Sequence, residues 1–133
     1  MVTIEDLDIY KLAHEVVLSI YRETESFPKN ELFGLTSQMR RAAVSINSNL
    51  LEGSARKTNG EYKQFIGVAR GSASELKYQI IVSKDLRFMS KNSADKLVND
   101  MDRIKMMLSR LMQSLGEPRT TNPEFRIPNS EHE

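Results

Sequence analysis

Residues 97 to 115 hold Leu97, Met101, Ile104, Leu108, Leu111 and Leu115 at an unbroken 4-3-4-3-4 spacing. On a helix of 3.6 residues per turn, that spacing draws one continuous apolar lane. A lane that long and regular cannot stay in water, and its heptad character is the seam of a left-handed helical bundle. The chain therefore has to supply other helices to cover it. It supplies three, and the Val and Ile residues elsewhere sit at helical spacing rather than in strand alternation.

The first predicted helix runs from about Asp6 to Ser26, with Ile9, Ala13, Val16 and Ile20 as its core lane. Beside it lies a second lane, Tyr10, His14, Val17 and Tyr21, and Pro28 closes the segment. This places His14 in the interior. The second helix starts between Glu31 and Thr36, where Gly34 blurs the boundary, and its core lane is Met39, Ala43, Ile46 and Leu50. The third has the clearest start signal, Thr58 followed by Glu61, a capping box. It is expected to reach about Phe88, with Tyr62, Phe65, Ala69, Ser72, Leu76 and Gln79 on its inner seam and Ile66, Ala73 and Ile80 beside them. Gly67 and Gly71 within it read as helix contact points rather than as a phosphate loop. The fourth helix extends from Ser90 or Ser93 to Leu115, where Gly116 and Pro118 stop it.

Short connections favour antiparallel neighbours, so the expected fold is an all-α, up-down-up-down four-helix bundle over residues 1–116. Residues 117–133 contain three prolines and few apolar side chains, and read as a flexible tail. The absence of cysteine excludes disulfides and thiolate metal sites. The acidic N-terminus does not resemble a signal peptide and no apolar run is long enough to span a membrane, so a cytoplasmic protein without membrane contact is expected.

Catalytic patterns are missing. His14 lacks a second histidine four residues on, because Leu18 stands there, so the zinc-protease helix is excluded. Glu52, Glu61 and Glu75 are the carboxylates nearest the second and third helices, but no nucleophile and base accompany them. The sequence thus reads as non-enzymatic, with no cofactor and no metal. Ser45, Asn49, Glu52 and Arg56 form a polar lane about 80° around the helix from the apolar one. Ser72, Glu75 and Gln79 offer a matching lane on the third helix, so the two lanes read as a hydrogen-bonded network that sets register, with a ligand site as the alternative.

Charge is segregated along the chain. Residues 1–31 carry three basic and seven acidic side chains, a balance of −4, whereas residues 38–91 carry ten basic and four acidic, a balance of +6. Within the basic segment Arg56, Lys63, Arg70, Lys77, Lys84 and Lys91 recur every seven residues, and Arg40, Arg41 and Lys57 add to them. From Lys63 to Lys91 the lane spans about 42 Å, enough to follow a phosphate backbone that presents about one charge per 1.7 Å of duplex. The competing reading is a solvated face shielding the seam. No aromatic residues interleave with these charges, so backbone rather than base recognition is expected. Val68, Ile81, Val82, Phe88 and Met89, with Met106, Met107 and Met112, lie away from the inner seam and suggest that subunits pack together.

The segments "DLDIYKLAHEVV", "LTSQMRRAAVSINSNLLEGSAR" and "FIGVARGSASELKYQI" resemble the four-helix-bundle family encoded within intervening sequences of bacterial 23S ribosomal RNA genes. They also resemble its relative, the accessory variability protein of diversity-generating retroelements. The resemblance covers about residues 5–115, and departs from the usual pattern at Leu51 and Asn47. It implies an antiparallel bundle assembled into a pentameric ring, and, from the retroelement relative, contact with nucleic acid and with a reverse transcriptase. It carries no catalytic residues, and adds support to Arg41, Asn49, Glu52, Gly53, Arg56, Ser72 and Glu75 as a shared structural or interface network. The function expected from all of this is a homo-oligomeric bundle that binds RNA or DNA through Arg40, Arg41, Arg56, Lys57, Lys63, Arg70, Lys77 and Lys84. The rival is a protein-interaction scaffold.

Overall fold

A computed structural model describes residues 3–116, and the predicted tail from residue 117 lies outside them. The described residues are all-α: helix α1 spans Asp8–Thr24, α2 Ser37–Ser54, α3 Asn59–Asp85 and α4 Lys91–Ser114. A single 3-10 turn, Ile4–Asp6, precedes α1, and a second one, Lys29–Glu31, leads into a wide π turn, Leu32–Thr36, before α2. Helices α3 and α4 start on side-chain caps. Thr58 Oγ1 accepts the Glu61 amide at 3.1 Å and Ser90 Oγ accepts the Ser93 amide at 3.2 Å, satisfying amides that a helix leaves open at its first turn. Asp6 reaches back to the Thr3 amide at 3.0 Å, and this hydrogen bond holds the Asp6 carboxyl below its ordinary value.

Helix α1 packs against α2 and α4, α2 against α3, and α3 against α4. Residue pairs fix the alignments. Arg40 meets Thr24 while Asn47 meets Tyr10; Met39 meets Ser83 while Ser45 meets Ser72; Lys84 meets Asp95 while Asn59 meets the Leu115 carbonyl. Enclosed between the helices are Ile9, Ala13, Val16 and Ile20 of α1, and Met39, Ala43, Ile46 and Leu50 of α2. The lane from Leu97 to Leu108 on α4 joins them. All three lanes are the ones the spacing predicts.

On α3 the buried set is Ile66, Ala69, Ala73, Leu76, Gln79, Ile80 and Ser83, which keeps Ala69, Leu76 and Gln79 of the expected seam and the whole lane beside it, while Tyr62, Phe65 and Ser72 are only half-buried. Tyr62 and Phe65 become edge residues facing α2, where partial burial raises the Tyr62 phenol above its ordinary pKa. The helix also stops early. Arg87 adopts left-handed backbone with φ 63°, and the Phe88 amide closes back on the Ser83 carbonyl at 2.9 Å. This turn swings Met89 into the core and sets Phe88 against Phe27, ring centroids 5.5 Å apart. The two residues expected on an outer face therefore cap one end of the core, and Met107 and Met112 likewise pack against it.

Two further expectations change. His14 is exposed, because the lane it shares with Tyr10 and Tyr21 lies at the rim of α1, and Tyr21 itself keeps 43% of its surface. Gly67 and Gly71 are not contact points, since a Cβ on either would meet nothing within 4 Å. The close approach lies at Gly53 instead, where a Cβ would stand 2.7 Å from Phe65 Cβ and 2.9 Å from Tyr62 Cδ1. Helices α2 and α3 meet there only because residue 53 has no side chain.

Candidate nucleic-acid interface

The polar lane on α2 survives in part. Ser45 Oγ lies 2.9 Å from Ser72 Oγ, and Asn49 Nδ2 donates to both the Ser45 carbonyl and Ser45 Oγ, at 2.8 and 2.9 Å. With one lone pair of the Ser45 hydroxyl taken by Asn49, Ser45 keeps both a proton and a second lone pair, so either serine can donate across the bridge to Ser72. This is a neutral, half-buried clasp between α2 and α3. Glu52 does not join it, but pairs with Arg56, which lies just beyond the end of α2 in the connection to α3. Glu75 is exposed and makes no hydrogen bond among the described residues, while Gln79 is buried with Oε1 unpartnered. Three residues, Ser45, Asn49 and Ser72, thus constitute the network, and nothing reactive is assembled around them.

The seven-residue basic lane lies on the side of α3 that faces α4. Arg70 donates to Ser109 Oγ at 3.0 Å, Lys77 pairs with Asp102 at 2.7 Å and Lys84 with Asp95 at 3.5 Å. Each step of seven forward along α3 meets a step of seven back along α4. Asp95 takes a second cation, Lys91, at 2.6 Å, and that hydrogen bond, aided by the Lys84 charge, lowers its pKa while the Lys91 ammonium is raised in turn. The lower half of the lane is therefore charge-compensated. Asp95, Asp102 and Ser109 were the missing partners, and their own spacing of seven on the following helix was the signal that identifies them.

The other cations divide by what they touch. Arg40 is committed to the α1–α2 junction: Nε donates to Thr24 Oγ1 at 2.9 Å and the guanidinium lies 4.6 Å from the Tyr21 ring centroid. Arg56 sits 4.8 Å from the Phe65 centroid besides pairing with Glu52. Arg41, Lys57, Lys63 and Arg70 have no carboxylate partner among the described residues. Arg41 lies at one end of α2, whereas Lys57, Lys63 and Arg70 lie toward the other end of the α2–α3 pair. No group of His, Asp or Glu among the described residues could hold a metal ion.

One further feature had no sequence signal. Tyr21, Phe33, Thr36, Ser37, Arg40 and Arg41 help line an open cleft of about 390 Å³ beside the π turn. Phe33 keeps 92% of its surface, so an aromatic ring stands in solvent next to two guanidiniums.

Residues 5–110 match the family model described as 23S rRNA-intervening sequence protein. The chain belongs to that family. Among solved structures, it is similar to a crystal structure of a protein of unknown function from the S23 ribosomal protein family of Bacteroides thetaiotaomicron. The TM-score is 0.71 at 17% identity, over 79% of this chain and 98% of that one, a likeness of fold. A comparison with curated proteins finds no match. No described helix of this family member is long and apolar enough to cross a membrane.

Proposed function

We propose that this 23S rRNA-intervening sequence protein is a non-enzymatic, homo-oligomeric bundle that binds RNA or DNA through phosphate contacts. The observation that carries the reading is that Arg41, Lys57, Lys63 and Arg70, among other cations, have no carboxylate partner among the described residues, on a segment whose balance is +6. Lys77 and Lys84 contribute less, because a paired carboxylate cancels most of their field at the distance of a phosphate. The helical order supports an up-down-up-down antiparallel arrangement, since the paired residues on successive helices run in opposite directions along the chain.

A ring of copies, with five as the expected number, would repeat four otherwise isolated charges into a multivalent surface. Val44, Leu51, Val68 and Tyr78, exposed on α2 and α3, support self-association. A nucleic-acid enzyme such as a reverse transcriptase fits as a further partner, and a cytoplasmic setting suits both. The scaffold reading is favoured by the ion pairs along α3 and α4, because a regular basic lane of this kind can serve the fold alone.

Affinity for a structured RNA and a DNA duplex, measured against salt, tests the proposal. Log affinity should fall linearly with log salt, and each phosphate-binding side chain removed in an Arg41→Ala, Lys57→Ala, Lys63→Ala, Arg70→Ala series should flatten the duplex-DNA slope by about 0.9. Lys77→Ala should leave the slope nearly unchanged. Absence of binding at low salt overturns nucleic-acid contact. Light scattering that reports one chain of 15.2 kDa at micromolar concentration overturns the oligomer.

A further inference from the structure

We propose that the cleft beside the π turn holds a single unpaired nucleotide, its base stacked on the Phe33 ring and its phosphate on the Arg41 guanidinium. The proposal rests on the nucleic-acid reading above and narrows it to single-stranded RNA or DNA at this end of the molecule.

The π turn sets Phe33 outward by construction. The Leu35 amide donates to Glu31 Oε1 at 3.1 Å, and Gly34 takes a non-helical bend at φ −113°, ψ −111°. Leu35 thereby packs against the core while Phe33 keeps 92% of its surface. A ring this exposed, held by a bonded turn rather than by a loose loop, is a ready stacking platform.

The cleft's chemistry selects what can lie against it. None of its lining residues carries negative charge: besides Phe33 and Leu32 they are Tyr21, two arginines and two hydroxyl residues, Thr36 and Ser37. Glu31, the nearest acid in sequence, keeps its charge but is not among the lining residues, and its Oε1 accepts from the Leu35 amide. Arg40 is held against Tyr21 and Thr24, which leaves the exposed Arg41, without a carboxylate partner among the described residues, to meet an anion. The volume of about 390 Å³ falls within the range of small-ligand sites, about 300–1,000 Å³. The occupant must therefore offer a flat π face and a negative charge a few ångströms from it. A nucleotide has both in fixed relation, and only an unstacked one can present its face. A base inside a duplex cannot.

The chain has no tryptophan, so Phe33→Trp installs a single fluorescent reporter at an exposed position. Titrated with an eight-nucleotide oligoadenylate, this variant should show saturable quenching, absent with an RNA duplex of equal length. By anisotropy of a labelled oligonucleotide, Phe33→Ser should weaken single-strand binding about tenfold, the scale of one base stack removed, and leave duplex binding within twofold. Arg41→Ala should weaken the single strand several-fold in the Phe33→Trp background. Circular dichroism confirms that each variant folds. If the wild type binds oligoadenylate but Phe33→Trp is not quenched, or Phe33→Ser lowers single-strand and duplex binding equally, the stacking site is overturned while phosphate binding stands. If neither RNA binds at low salt, both readings fall. Quenching by an acidic, phenylalanine-containing octapeptide but not by RNA assigns the cleft to a protein partner instead and overturns the proposal.

Discussion

Helix α3 has two flanks, and they are held in opposite ways. Toward α2 the contacts are close and neutral: Gly53 lets the backbone approach Phe65, Ser45 bridges to Ser72, and the buried Ser83 hydroxyl lies 3.3 Å from Met39 Sδ. Toward α4 the rim is ionic and open, and the partners of Lys77 and Lys84 keep 52% and 42% of their side-chain surface. The neutral flank depends on shape and is insensitive to salt. The ionic flank tolerates small displacements, because exposed pairs contribute only about 0–1 kcal/mol each and salt screens them. The same helix is thus fixed in place on one side and steered in register on the other.

Gly53→Ala should cut most deeply into that contrast. Its Cβ would lie 2.7 Å from Phe65 Cβ, the root of a side chain fixed on α3, so the helices must separate. Overpacking of this kind costs about 1–3 kcal/mol, more than the roughly 1 kcal/mol of helix propensity that alanine regains. Urea denaturation should show a net loss of up to about 2 kcal/mol. Gly71→Ala is the matched control: with nothing within 4 Å of its Cβ, it should stabilise by about 0.5–1 kcal/mol. Equal effects at the two glycines would erase the claim that α2 and α3 meet through residue 53.

The serine clasp comes next in size. Ser45→Ala removes an acceptor from Asn49 and the bridge to Ser72, and should cost about 1 kcal/mol. Ser72→Ala on top of it should cost less than it does alone, because the partner is already gone. A double-mutant cycle with zero coupling would show that the two hydroxyls merely lie side by side.

The apolar lanes were legible because burial obeys helical periodicity whatever the partner. The lane Met39, Ala43, Ile46 and Leu50 located α2, and the Thr58 signal placed the start of α3 within a residue. What escaped depends on neighbours brought from elsewhere in the chain. His14 shares a lane with two tyrosines, and only the angle at which α1 meets α2 and α4 decides that this lane is a rim. Gly53 and Gly71 look alike in one dimension, yet one meets Phe65 and the other meets nothing. The basic repeat was visible, but its meaning required the seven-residue echo Asp95, Asp102 and Ser109 on the next helix. Phe33 carried no periodic signal, since a π turn with a bend at Gly34 determines where it points.

The ionic flank should respond to acid and salt where the neutral flank does not. The hydrogen bond from Lys91, with the positive charges of Lys91 and Lys84 adding to it, holds Asp95 below the ordinary carboxyl value of 3.8. A carboxyl depressed in the folded state stabilises it at pH above the unfolded value, and that contribution is lost as pH falls through the folded value. For Lys91, raised in the folded state, the contribution is present at neutral pH and lost only on alkaline titration. Between about pH 5 and 8 neither group titrates, so stability from this site should be flat there and decline below about pH 4. Asp95→Asn should remove that acid-limb contribution and reduce the salt dependence of the denaturation midpoint, whereas Ser45→Ala should shift the midpoint by the same amount at low and high salt. If Asp95→Asn leaves both the acid limb and the salt dependence as in the wild type, the seven-residue ion pairs do not steer α3 against α4, and the contrast between its two flanks reduces to packing alone.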